Sequence, residues 1–296
     1  MEPRPHQREG AQWALNTIRE YGFAYLSWQE RTGKTLTALL TVENSKASRC
    51  LIITKKRAIE GWEDTLTSWS HKTEFQVINY ESAHKVQGVF DFIILDESHH
   101  AISSVGRTSK TWKEVYRLTR NKPILFLSAT PYAEHLGLIY HQLKLSAWTP
   151  FKSYKNFYEW FRMYGVVHMT RTPYGLVETY TKYQDELILK SVDHLFDFKT
   201  RAEVGIEHEP KANVVVVPMG KATQIVIKQL TRDSVIEIGD VQIVCDTPMK
   251  ERTVHYQIEG GTIKTEDGSY VTIATEKIEY IRDNYCLLYT SDAADE

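Results

Sequence analysis

Between Phe23 and Thr130 the chain alternates short apolar runs with longer amphipathic stretches, the pattern of repeated strand and helix units around a parallel sheet. Five strands are predicted, at Phe23–Trp28, Cys50–Thr54, Phe75–Asn79, Phe90–Asp96 and Pro123–Ser128, with helical segments such as Lys34–Glu43 and Ala58–Trp69 between them. Each strand runs directly into a polar cluster: Gln29–Thr35, Thr54–Arg57, Tyr80–Ser82, Asp96–His99 and Ser128–Pro131. In an open parallel sheet the carboxyl ends of the strands share one edge, so clusters scattered along the chain are expected to converge there.

Beyond Pro131 the pattern changes. An aromatic-rich stretch, Trp148–Tyr164, is followed by Tyr174–Lys199, which reads as irregular structure and then helix, packed on the first domain. Trp148, Phe151, Tyr154, Phe157, Tyr158, Trp160 and Phe161 can in principle stack bases, but their close spacing fits the underside of packed helices, and we assign them to the core. From about Asn213 the chain reads as β-rich, with strands at Val214–Val217, Val241–Cys245 and Thr253–Ile258, a hairpin around Asp267-Gly268, and a helix over Glu276–Tyr285. No internal repeat is visible.

Composition changes this picture little. At 296 residues the chain exceeds one average domain. Hydrophobic residues at 42% and charged residues at 25% match ordinary globular proteins, and no apolar run is long enough to span a bilayer. The N-terminus lacks the features of a secretory signal, so the cytoplasm is the expected compartment and no membrane partner is expected. Cys50, Cys245 and Cys286 lie too far apart for a disulfide framework or a zinc site. A net charge of −2 argues against indiscriminate coating of nucleic acid but permits a locally basic groove.

The clusters carry the candidate chemistry. Gly33-Lys34-Thr35 follows an apolar strand and opens a helix, the setting a phosphate-binding loop needs. Amides at the helix start and the Lys34 ammonium would hold β- and γ-phosphates, and the Thr35 hydroxyl would ligate Mg²⁺. Trp28 stands where such loops usually carry their first glycine, and Arg31 where many carry another. Asp96 and Glu97 emerge at the end of an apolar strand, with Asp96 suited to hold Mg²⁺ and Glu97 to orient and deprotonate a water. Ser128 and Thr130 offer hydroxyls to His99 or Glu97. Gln7 carries an amide able to read adenine. Thr54-Lys55-Lys56-Arg57 is a basic cluster suited to nucleic-acid phosphates, and Tyr80-Glu81-Ser82 can touch backbone. His99 and His100 find no third ligand at suitable spacing, and no zinc is expected.

In this order, Gln7, Gly33-Lys34-Thr35, Thr54-Lys55, Asp96-Glu97-Ser98-His99 and Ser128-Ala129-Thr130-Pro131 resemble the first RecA-like domain of superfamily 2 helicases over roughly the first half of the chain. Asp96-Glu97 resembles a Walker B element. Arg4-Pro5-His6-Gln7 with Gly10 and Trp13, Leu51-Ile52-Ile53 followed by Trp62, and Asn79-Tyr80-Glu81 look most like the Swi/Snf-type, DEAH-like branch; Glu30-Arg31-Thr32-Gly33-Lys34-Thr35 is similar to its phage versions.

The resemblance implies an α/β P-loop NTPase fold: a RecA-like parallel sheet flanked by helices, then a helical stretch and a smaller β-rich partial second domain. It divides the chain into an ATP-binding domain over residues 1–200, an incomplete start of a second RecA-like domain over 201–286, and a non-native tail over 287–296 that resembles sequencing-adapter read-through.

It further implies that Gln7, Thr32, Gly33, Lys34 and Thr35 bind ATP, that Thr35 and Asp96 hold Mg²⁺, and that Lys34, Asp96 and Glu97 serve catalysis. His99, Ser128 and Thr130 would couple the ATP state to a nucleic-acid groove containing Thr54, Lys55, Lys56 and Tyr80. The implied protein is a monomeric ATP-dependent translocase on DNA, double-stranded for preference, with RNA left open, working in the cytoplasm of a bacterial host if phage-encoded. Without a recognisable arginine finger the chain is expected to hydrolyse ATP weakly. Two alternatives remain: the motor subunit of a restriction or defence nuclease, and a non-catalytic nucleic-acid-binding module.

Overall fold

Side chains alternate across a strand, so a strand that is apolar at every position must be covered on both faces. The computed structural model, which describes residues 2–132, 134–172, 175–206, 213–238, 241–245, 247–265 and 268–285, shows that arrangement. The chain divides into two compact units, residues 1–209 and 210–296.

The first unit runs α1 (Pro5–Tyr21), β1 (Phe23–Trp28), α2 (Lys34–Ser45), β2 (Arg49–Thr54), α3 (Ile59–Ser68), β3 (Glu74–Asn79), β4 (Phe92–Asp96), α4 (His99–Ile102), α5 (Lys110–Thr119) and β5 (Ile124–Leu127). It continues with α6 (Ile139–Leu143), α7 (Phe157–Tyr164), the antiparallel pair β6 (His168–Thr172) and β7 (Gly175–Thr179), α8 (Asp185–Val192) and β8 (Phe196–Lys199). Six strands form one sheet in the order β3-β2-β4-β5-β1-β8, and every pairing in it is parallel. All carboxyl ends therefore lie on one edge.

The period-two alternation divides the core. Phe23, Tyr25, Leu51, Ile53, Ile93, Leu95, Ile124 and Phe126 point to one face, where α5 to α8 and the buried aromatics Phe151, Phe157, Trp160 and Phe161 cover them. Ala24, Leu26, Trp28, Cys50, Ile52, Phe92, Ile94, Leu125 and Leu127 point to the other, under α1, α2 and α3. Trp148 and Tyr158, expected in this core, are instead 49% and 43% exposed.

The stretch ending at Lys199 holds a correction. Its helix is α8, but Phe196–Lys199 is a sixth strand, with Tyr25 opposite Phe196 and Trp28 opposite Lys199. It lies at the sheet edge, where Phe196 is buried, Phe198 is 51% exposed, and Asp197 and Lys199 turn to Trp28.

The second unit holds α9 (Lys221–Asp233), the antiparallel pair β9 (Val235–Ile238) and β10 (Val241–Val244), α10 (Pro248–Glu259), the antiparallel pair β11 (Thr262–Lys264) and β12 (Tyr270–Thr272), and α11 (Glu276–Asn284). Leu230, Ile236, Ile243, Val254, Ile258 and Ile263 form its core. The expected hairpin pairs as β11 and β12, although Asp267 of its turn lies outside the described residues, as does the 287–296 tail.

Two expected strands are absent from it. Val214–Val217 is irregular, with Val214 and Val216 largely exposed. Thr253–Ile258 is helical: Thr247 accepts the Lys250 N–H at 3.2 Å as an N-cap, Pro248 opens the first turn, and Val254 and Ile258, four apart, share the buried side. No helix among the described residues is long and apolar enough to cross a membrane.

Candidate nucleotide site and its rim

The loop after β1 reverses direction through left-handed backbone at Arg31 (φ 65°) and Gly33 (φ 90°) before α2 begins at Lys34. A side chain at Gly33 would collide with the Gln7 amide, so this position needs glycine for conformation and for space. The first amides of α2 lack helical acceptors and are available to an anion, with Thr35 one residue into the helix.

Lys34 Nζ donates to Trp28 O at 2.6 Å and Gln29 O at 3.1 Å, and Thr32 Oγ1 donates to Gln29 O at 2.7 Å. Burial pulls the Lys34 pKa down, while the charges of Glu97, Asp96 and Glu30 push it back up. Gln7 is buried at the start of α1; its Oε1 accepts the Arg4 N–H at 2.8 Å and its Nε2 donates to Gly33 O at 3.2 Å. His6 Nε2 lies 3.0 Å from Thr32 O, so the start of α1 is fastened to the loop at two points.

The departure at Trp28 is accommodated by neighbours. Its ring occupies the space a side chain at Gly10 would take, and its Nε1 donates to Asp197 Oδ2 of β8 at 2.8 Å. Arg201, just after β8, donates to Glu30 O at 3.1 Å and pairs with the Glu30 carboxylate at 3.3 Å. The unforeseen sixth strand thus buttresses the loop.

The carboxylates stand two strands away. Asp96 is the last residue of β4, and its Oδ2 accepts Thr54 Oγ1 at 2.7 Å and Trp62 Nε1 at 3.0 Å. Burial raises its pKa, opposed by those two bonds. Tyr80 donates its hydroxyl to Asp96 O at 2.9 Å. Glu97 has φ 52°, uncommon for a residue with a side chain, and donates its N–H to Leu127 O at 2.8 Å. Its Oε2 lies 3.7 Å from Lys55 Nζ and 3.6 Å from His99 Nε2.

Ser128 connects the next strand end. Its Oγ lies 3.0 Å from His99 Nδ1 and accepts the Thr130 N–H at 3.0 Å, while Thr130 itself is exposed. Burial, with His100 and Lys55 nearby, lowers the His99 pKa to about 4, so the ring is neutral near neutral pH.

The structure thus places Lys34, Thr35, Asp96, Glu97, His99 and Ser128 along one edge, with Gln7 beside the loop. Two expectations need correction. Thr54 and Tyr80 cannot offer their side chains to nucleic acid in this structure, because both are buried and committed to Asp96. Lys55 is half-buried against Glu97, whereas Lys56 is exposed on a 3₁₀ turn. Sequence spacing offers His99 and His100 no third metal ligand, yet the fold brings the Glu97 carboxylate to both rings.

Residues without any assigned role complete the arrangement. Buried Gln142 of α6 accepts the hydroxyls of Tyr25 and Ser98, each at 2.9 Å, and donates to Pro131 O at 2.7 Å and Leu138 O at 3.1 Å. All its amide groups are engaged, joining β1, the turn after β4 and the segment after Ser128. Nothing in a lone Gln on an amphipathic helix announces this.

Residues 70–133 match the family model described as type III restriction enzyme, res subunit. No curated protein matches the chain. Among solved structures, the chain is similar to the Sulfolobus solfataricus SWI2/SNF2 ATPase core domain, with a TM-score of 0.53 at 17% identity, over 96% of this chain and 63% of that one. The chain therefore has the α/β fold of the SWI2/SNF2 ATPase core domain, and its residues 70–133 are similar to the res subunit of type III restriction enzymes.

Proposed function

We propose that this chain binds ATP with Mg²⁺ along the carboxyl edge of its sheet and hydrolyses it, and that the whole protein couples hydrolysis to movement on DNA. One observation carries the reading: the Lys34 ammonium shares a rim with the Asp96 and Glu97 carboxylates, close enough for both charges to shift its titration. The donor set fits the ligand. Lys34, the α2 amides and the glycine at position 33 suit phosphates, while Gln7 suits adenine. Thr35 and Asp96 would hold Mg²⁺, which supplies charge neutralisation to the phosphate oxygens. Glu97 is the candidate to orient and deprotonate water; His99 and Ser128 lie beside it to relay its state to Thr130. Lys55 and Lys56 are the candidate nucleic-acid contacts.

Under this reading residues 201–286 contain the opening of a second RecA-like domain. Isothermal titration of Mg²⁺-ATP into the purified chain tests the proposal. Binding that depends on Mg²⁺ and is lost in Lys34→Ala supports it; no binding, or binding indifferent to Lys34, refutes it.

The match over residues 70–133 favours a second reading, the motor subunit of a restriction enzyme. A nuclease domain encoded in the same reading frame would decide for it.

A further inference from the structure

Outside the nucleotide-loop chemistry, the cluster of metal-ligating atoms formed by Glu97, His99 and His100 has no role in the proposed function as a set. One carboxylate oxygen and one ring nitrogen from each histidine lie within 4.8 Å of one another, and the two rings are 4.0 Å apart. We propose that Glu97, His99 and His100 form a binding site for a divalent ion of the zinc type, distinct from the Mg²⁺ ligands Thr35 and Asp96, and that its occupation blocks hydrolysis.

Three observations support this. Zinc at about 2.0–2.1 Å from nitrogen and oxygen ligands in a tetrahedron sets those ligands about 3.3 Å apart. The Glu97 Oε2 to His99 Nε2 separation of 3.6 Å is near that spacing, and exposed His100 can close the remainder by rotating its ring. Two nitrogen ligands, one oxygen ligand and an open fourth position are a familiar zinc donor set.

The surroundings also resemble those of a metal-bound imidazole. His99 Nδ1 lies 3.0 Å from the Oγ of fully buried Ser128. This contact fits two neutral tautomers: with the proton on Nδ1 the Nε2 lone pair faces the Glu97 carboxylate, and with the proton on Nε2 the Ser128 hydroxyl donates to Nδ1. In the first tautomer a cation between the lone pair and the carboxylate turns repulsion into attraction, and a metal selects that tautomer. Lys55, 3.7 Å from Glu97 Oε2, is the resident competitor for that place and must yield to the metal.

The inhibitory half of the proposal rests on the function proposed above, because it takes Glu97 to be the base. The binding half does not. An ion bound to the Glu97 carboxylate draws charge from both oxygens and so lowers its basicity toward the proton of water.

The test titrates Zn²⁺ into the purified chain without nucleotide, near neutral pH, in competition with a chromogenic chelator. A single site is expected, weakened about tenfold or more in His99→Gln and in His100→Gln, and tightened in Lys55→Gln. Near-ultraviolet circular dichroism checks that each variant folds. In the parent, Zn²⁺ should suppress the ATPase; His100→Gln should keep its Mg²⁺-ATP affinity while losing that sensitivity. Absence of a site, or a site unaffected by both histidine changes, overturns the proposal. Zn²⁺ binding without ATP binding would leave the site standing and remove the proposed function, whereas ATP binding without Zn²⁺ binding would do the reverse.

Discussion

The loop after β1 and the turn after β4 occupy the same edge of the same sheet, yet their polar groups are satisfied differently. In the loop, Lys34 and Gln7 spend their donors on backbone carbonyls of the loop itself, Trp28 O, Gln29 O and Gly33 O. Under the proposed function, phosphate and adenine would displace bonds already made. At the turn, Asp96 takes its bonds from Thr54 and Trp62, side chains delivered by a neighbouring strand and helix. Those partners leave Oδ1 outside both bonds and hold the carboxylate in place. In the proposed function one half of the rim would exchange partners on binding, while the other is set in advance, which is the arrangement electrostatic catalysis favours.

The comparison can be broken at four points. Lys34→Ala should have the largest effect, lowering ATP affinity about 100-fold, because it removes charge-assisted bonds to phosphate; isothermal titration reads it, and an unchanged affinity would show that the loop does not hold phosphate. Gln7→Ala should weaken ATP about tenfold and reduce discrimination against GTP, since the amide bonds to the base are lost while the phosphates stay held. Loss of ATP and GTP binding alike would place Gln7 in loop support only.

Trp62→Phe should act on the other half. It removes one donor from a buried carboxylate and should cost about 1 kcal/mol in denaturant unfolding while changing Mg²⁺-free nucleotide affinity little. An effect on nucleotide alone would mean the two halves are not separate.

At neutral pH the smallest effect comes from the buried histidines, whose contribution shows only as pH falls. Burial lowers the pKa of His141 to about 4 and that of His99 likewise, below the unfolded value of about 6.5. The unfolded chain then takes up protons first, so stability present above about pH 6.5 is lost as pH falls toward 4. His141→Gln should flatten that limb by about 2 kcal/mol at pH 5, read from urea unfolding, without touching the rim. A limb of undiminished slope would assign the acid sensitivity elsewhere.

Four of the five predicted strands, β1, β2, β4 and β5, were legible because strands buried on both faces are almost wholly apolar, and the polar residues that interrupt them mark where each ends; β3, at the sheet edge, showed only Phe75, Val77 and Ile78 among polar residues. Lys34, Asp96, Glu97 and Ser128 were legible for the same reason, each sitting at the end of such a run. Phe196–Lys199 was not, since four residues of mixed character become a strand only by pairing with β1. Thr253–Ile258 misled because Val254, Tyr256 and Ile258 alternate with polar residues as in a strand, whereas only Val254 and Ile258, four apart, are buried, and the Thr247 cap with Pro248 opens a helix there.

The chain's own order of residues determined the architecture of the first unit and the chemistry available on its rim, because periodicity and strand-end residue types are local properties. Tertiary structure alone decided which groups are paired. Gln142 meets Tyr25 across 117 positions, Trp62 reaches Asp96 across 34, and Thr54 turns inward to a carboxylate instead of outward to a ligand. Hydrogen bonds between distant residues depend on which strands become neighbours, and that outcome is written in the packing of the whole sheet.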